Sequence, residues 1–287
     1  MRPLLAPAAI LVLAANGAAQ APSPVAGPLA PVLARAAEEA AAFQKNIAKA
    51  ATEERLEQRA IPSAHFQPHL AKKDAPPLVH THTVVSEYTV GTLKDSNSPD
   101  LVEFRQVISV DGVPVQSQAS ARHALTMTVL SADERARKRM LEDFASYGLV
   151  DIGTDYGLVL LAFTRQGMAN LQFSEEPPRQ IEGVPVRSIA WKQITAASGE
   201  LEFHGRNAAR LPLSGRLLVR RTDLLPLRIE VWAEDVQHKQ KIRDEATVVY
   251  TQSEHGFLMP ASVRHRHIVN GVVMAENLYT YQPFRLL

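Results

Sequence analysis

From Gly215 to Phe284 apolar and polar residues alternate. Leu227, Ile229, Val231 and Ala233 are interleaved with Arg228, Glu230, Trp232 and Glu234, the period-two pattern of a strand with one buried face. The same reading places strands over 247–252 and 257–269, joined by the turn-forming Ser253-Glu254-His255-Gly256. Asn270-Gly271, between Ile268-Val269 and Val272-Val273-Met274, calls for a type I′ hairpin turn. Upstream, strand patterns run over 78–90 and 101–110, the second ending in the turn signal Asp111-Gly112. Shorter ones fall near 170–174, 181–193, 200–205 and 214–221, for about ten strands in all, mostly antiparallel.

Three segments carry a helical period instead. Leu33, Ala36, Ala40, Phe43, Ile47 and Ala50 recur at three- and four-residue steps, which predicts an N-terminal helix over 32–60. Its end, Glu53-Glu54-Arg55 with Glu57 and Arg59, reads as a solvated, ion-paired face. Ser131-Ala132-Asp133-Glu134 has the form of a capping box, opening a helix that Gly148 stops. Met140, Leu141, Phe144 and Tyr147 form its apolar face, leaving Arg135, Arg137, Lys138 and Arg139 to water. The stretch Tyr156 to Arg165 is apolar almost all round and reads as a buried helix, so residues 131–166 form a helical insertion among strands.

The N-terminus has another logic. Arg2, an apolar run from Leu4 to Ala15 and the small residues Gly17-Ala18-Ala19 have the form of a cleaved export signal over 1–19. The run is too short for a membrane span, which needs about 20 apolar residues. This places the protein in the periplasm or outside the cell. Residues 20–31, rich in Ala and Pro, read as a disordered leader, and 61–77, with four prolines, as a linker. There is no cysteine, hence no disulfide, lipobox or thiolate chemistry. Lys and Arg number 31 against 30 Asp and Glu, a balance that argues against nucleic acid or an anionic membrane surface as the partner. Oligomeric state is left open.

Motifs for a serine nucleophile, a zinc protease, a P-loop or a dinucleotide fold are absent, and nothing calls for a cofactor. His80 with His82, and His265 with His267, each put two imidazoles on one face of a strand, as a metal site on a barrel wall requires. Alternating polar residues on a half-exposed strand explain the same spacing without a ligand, and no metal is expected. Tyr279 and Tyr281 share a face and, with Met140 and Phe144, are the candidates for lining a ligand cavity. Packing of a last strand explains the two tyrosines equally.

Several stretches together resemble the LolA/LppX-type periplasmic lipoprotein carriers. They are Leu225-Pro226-Leu227-Arg228 opening a strand, Gly256-Phe257-Leu258-Met259-Pro260, Asn270-Gly271, and Tyr279-x-Tyr281-x-x-Phe284. The likeness spans 78–287 as a pattern. Glu53-Glu54-Arg55-x-x-Gln58 also resembles a set of exported bacterial proteins of unknown function. The resemblance implies an α+β fold, a strongly curved antiparallel sheet or incomplete β-barrel, with helices on its concave side. It also implies a non-enzymatic protein that takes a lipid or lipoprotein acyl chain into an apolar cavity. In those carriers an arginine latches the helical lid, and no arginine of this chain matches it. Two alternatives remain: an envelope interaction module with a filled core, and a secreted histidine-dependent metalloenzyme.

Overall fold

In a computed structural model, residues 9–12, 27–61, 79–93, 101–130, 133–195, 199–204, 207–237 and 239–287 are described. The strands, in chain order, are β1 Ala9–Val12, β2 Ala50–Ala60, β3 His80–Thr92, β4 Leu101–Val110, β5 Val113–Pro114, β6 Gly153–Thr154, β7 Leu171–Ile181 and β8 Val184–Gln193. They continue as β9 Gly199–His204, β10 Asn207–Leu211, β11 Ser214–Arg220, β12 Pro226–Gln237, β13 Gln240–Gln252, β14 Leu258–Val269, β15 Val272–Tyr281 and β16 Arg285–Leu286. Twelve form one antiparallel sheet in the order β5-β4-β3-β2-β15-β14-β13-β12-β11-β8-β7, with β16 on β2. Its ends do not meet, so the sheet is an open, curved half-barrel. A second sheet has the order β10-β9-β1-β6.

The hairpin signals act as predicted. Asn270 and Gly271 have φ of 51° and 82°, and Asp111 and Gly112 of 51° and 80°, the left-handed pair that a type I′ turn demands. The pleat then puts Leu217, Val219, Ile229, Val231, Ala233 and Val248 on one buried face.

The N-terminal helix is shorter than its pattern suggested. Helix α1 covers Ala30–Asn46 and a single 3-10 turn follows over Ile47–Lys49. The rest of the expected helix is β2, inserted between β15 and β3. Its residues are good helix formers, but both neighbours offer it a ladder, and tertiary pairing overrides propensity. Along β2, Glu54, Leu56, Gln58 and Ala60 are buried while Arg55, Glu57 and Arg59 are exposed. That is a clean period of two, disguised because two of the buried residues are polar. The helical stripe of α1 faces the core, with Ala36, Ala40, Phe43 and Ile47 wholly buried.

Helix α2, Gln118–Leu130, was not foreseen, and it lies on the convex face. Its Arg122 pairs with Glu87 at 2.9 Å, and its Leu125 packs with Leu93, Val102 and Phe104 in a small second core. Helix α3, Glu134–Ser146, returns to the inner face, where Met140 and Phe144 join the main core. Its N-cap is Asp133, which accepts from the Ala136 amide at 2.8 Å; the Ser131 expected there lies outside the described residues. Helices thus cover both faces at the β4 edge, not the concave side alone. Tyr156–Phe163 is helical but of the 3-10 type, and is followed by the short helix α4, Arg165–Met168.

Of the leader expected over 20–31, residues 20–26 lie outside the described residues, while 27–29 form a turn and Ala30 and Pro31 open α1; residues 62–77 of the expected linker, and 1–8 and 13–19 of the expected signal, also lie outside the described residues.

Candidate functional site

The 3-10 segment sits inside the half-barrel, covered from the open side by α1. Tyr156, Leu158, Val159, Leu160 and Phe163 are each at most 2% exposed, so the segment fills the concavity as a plug. A buried 3-10 run of eight residues is unusual, and its backbone groups require partners. Partners for it, and for residues 150–155 that lead into it, come from side chains on the inner face of the sheet. Gln58 donates to the Val150 carbonyl at 2.7 Å and accepts from the Val150 amide at 3.0 Å. Asn277 donates to the Asp151 carbonyl at 2.8 Å, and the Tyr279 hydroxyl to that of Gly153 at 2.8 Å. Tyr250 accepts from the Leu160 amide and donates to the Gly157 carbonyl, both at 3.1 Å. Tyr156 stacks on His265 with 5.0 Å between ring centroids.

Register explains why these side chains form a line. Gln58, Asn277 and His265 stand directly opposite one another on β2, β15 and β14. Gln58 donates to Asn277 at 2.6 Å, and the Asn277 amide lies 3.1 Å from His265 Nδ1.

The strongest grip is a buried carboxylate clamp. Glu103 on β4 accepts from the amides of Asp155 at 2.8 Å and Gly157 at 3.0 Å, while its own amide donates to Asp155 Oδ1 at 2.7 Å. Arg105, two residues on, donates from Nε and Nη2 to Glu54 at 2.7 and 2.8 Å, and from Nη2 to Glu103 at 2.8 Å. Its guanidinium lies 5.1 Å from the ring centroids of both Tyr88 and Tyr279, a cation–π sandwich. Asp155 also pairs with Arg137 of α3, tying helix, plug and sheet together. Glu54 and Arg137, read from the sequence as wet, are 1% and 5% exposed.

Three buried carboxylates therefore face two buried guanidinium groups, which favours keeping a proton on the cluster. Burial, against the opposing charge of Arg137, pushes Asp155 up to about 6. Burial also raises Glu54, with Arg105 opposing it.

Of the residues singled out by sequence, Tyr279, Tyr281, Met140 and Phe144 do converge, around Arg105. Tyr279 is stacked on the guanidinium, Tyr281 packs on Tyr88 with 5.0 Å between centroids, and Met140 and Phe144 line a cavity that Arg105 also borders. That cavity holds only about 60 Å³, so the four form the wall of a filled core. A second cavity, of about 130 Å³, is bordered by Glu175, Glu176 and Arg187 on the β7–β8 side. Neither approaches the 300 Å³ or more of typical ligand pockets.

The histidines do not come together. His80 and His267 share one cross-strand row, with Ala60 and Ala275 between them, so they stand three strand spacings or roughly 14 Å apart. His82 meets Asp111 at 2.9 Å near the surface. His265 and His267 flank Asp244, at 3.3 and 2.9 Å. Burial acts to raise Asp244, but the two imidazoles outweigh it and hold its carboxyl well below the usual range. Asp244 lies on the neighbouring strand, opposite His267, and so is far from both histidines in sequence. Among the described residues no group of three or more His, Cys, Asp or Glu is placed to hold a metal ion.

Glu103, Asp155, Gln58 and Asn277 escaped sequence reading. Glu103 and Arg105 occupy the strand parity of the buried Val107, which was the one available signal.

No protein-family model and no curated protein sequence matches this chain. Among solved structures, it is similar to a domain assigned by name to outer membrane lipoprotein sorting, from Vibrio parahaemolyticus. Identity there is 8%, the TM-score 0.38, and coverage 88% of this chain and 90% of that one. It is also similar to a DUF1329 family protein from Desulfovibrio piger, at 8% identity and a TM-score of 0.34, covering 89% of this chain and 93% of that one.

Proposed function

We propose that this is an exported, non-enzymatic interaction module of the cell envelope, whose half-barrel is filled by its own chain. The single observation supporting this is the way the plug is held. Gln58, Asn277 and Tyr279 hold the backbone of residues 150–153 that leads into it, and Glu103 and Tyr250 spend buried hydrogen bonds on its own backbone. An acyl chain in its place would leave the plug-facing groups of Glu103 and Tyr250 unsatisfied at about 1–3 kcal/mol each. Gaining about 0.8 kcal/mol per methylene, a sixteen-carbon chain recovers little more than the plug's own apolar side chains lose. No helix among the described residues is long and apolar enough to cross a membrane.

A second reading, a carrier for a lipid or lipoprotein acyl chain, draws on the plug's apolar character: Tyr156–Phe163 contains no charged residue. In that reading the plug swings out and a guest takes its place. Native mass spectrometry of chain purified without detergent, with extraction of bound lipid and titration with a fluorescent fatty acid, separates the two. A bare chain that takes up no fatty acid is the result expected for the filled module. Co-purified acyl species, or uptake enhanced by Glu103→Gln, would replace it with the carrier.

A further inference from the structure

The second sheet contains a slot one strand wide. Strand β1, from the apolar N-terminal run, is an interior strand of that sheet. On one side it runs parallel to β6, with Ala9 opposite Gly153 and Ile10 opposite Thr154. On the other it is antiparallel to β9, with Ala9 to Val12 opposite Glu202 to Gly199. β9 pairs in turn with β10, and β6 has β1 as its one partner in the sheet order. Without β1, β6 and β9 would face each other across two strand spacings, roughly 10 Å, with unpaired N–H and C=O groups on both edges. A gap of that width, with both walls offering backbone partners, takes one extended segment and no other element.

The segment in this slot belongs to the stretch read as a cleaved export signal. Residues 3–34 contain no charged side chain, and the tract from Leu4 to Ala15 is linked to α1 only through residues rich in Ala and Pro. We infer that the slot between β6 and β9 is a peptide-binding site. Once the N-terminal segment is detached, it accepts an extended, uncharged apolar segment of a partner polypeptide by strand insertion. The site adjoins the clamp: Thr154 of β6 is followed directly by Asp155, whose amide Glu103 holds. This inference deepens the interaction-module reading and rests on it, since it names the kind of partner such a module takes.

The test uses the full chain with a specific protease site placed within residues 20–26. The probe is a fluorescein-labelled peptide carrying residues 6–14 between solubilising lysines, and the control is the same peptide with Ile10→Pro and Leu11→Pro, which removes one central donor toward each wall. The labelled peptide should enter the cut chain and not the uncut chain. The proline peptide should bind at least about tenfold more weakly, and amide exchange at Thr154 and across 199–204 should slow when the peptide binds. Equal uptake of both peptides, or no uptake by a cut chain that has lost its own segment, would overturn the inference. So would release of the segment by a fatty acid as readily as by the peptide, which would make the slot an acyl groove. The two readings fail separately. Fatty-acid uptake by the uncut chain, whose slot is filled, counts against the filled module. Absence of peptide binding in a chain that takes up no lipid removes the slot alone.

Discussion

The two ends of the large sheet hold the same plug by opposite means. At the β2–β4 end the inner face carries Glu54, Gln58, Glu103 and Arg105, and the grip on residues 155–157 is ionic and directional. At the β8 and β11–β13 end the inner face carries Ile189, Trp191, Leu217, Ile229 and Val231. There Phe163 meets Trp191 edge to face, with 5.8 Å between centroids. Apolar packing tolerates small changes of shape, whereas a buried charge that loses its partner has no substitute in a dry interior. The ionic end fixes where the plug begins, and the apolar end supplies the bulk of its burial.

The sharpest way to break this contrast is Arg105→Met, which strands Glu54 and Glu103 together in the core. A loss of about 3–5 kcal/mol is expected, read from urea unfolding; a cost no greater than that of a trimmed apolar residue would refute the ionic description. The pH dependence is the next largest effect. Asp155 holds its proton more tightly in the folded chain, up to about 6 against an ordinary value of 3.8. Its contribution therefore destabilises the fold as pH rises from about 4 to 6. Asp244, held low by its imidazoles, acts with the opposite sign and loses its contribution as pH falls through the acid range. Urea midpoints measured between pH 4 and 7 should accordingly fall less steeply with rising pH in Asp155→Asn than in the parent. Ile229→Val at the apolar end should cost about 0.5–1.5 kcal/mol, with no change in that slope. Smallest of all, Glu57→Gln, which removes the exposed pair with Arg55 on the outer side of β2, should shift stability by less than about 0.5 kcal/mol. It is the control for Glu54, three residues away and on the other face.

How much of this was legible follows the same division. The apolar end could be read directly, because alternation of Leu227, Ile229 and Val231 with charged neighbours has one structural meaning. The clamp could not. In Thr52 to Arg59 the buried positions include Glu54 and Gln58, so hydrophobicity carries no period of two, and propensity pointed to a helix. Likewise Arg137 looked wet because its partner, Asp155, is 18 residues away and reaches it only once α3 folds back over β4.

Local rules were enough to specify the strands of the C-terminal meander, the type I′ turns at Asp111-Gly112 and Asn270-Gly271, the stripe of α1 and the stop of α3. Each depends on side-chain period or backbone φ within a few residues. Assembly alone assigned the buried partners of Glu54, Glu103 and Asp244, the placement of α2 on the outer face, and the filling of the half-barrel by residues 156–163. Those outcomes depend on cross-strand register and on the need to satisfy every polar group removed from water, and both come into being only when distant segments meet.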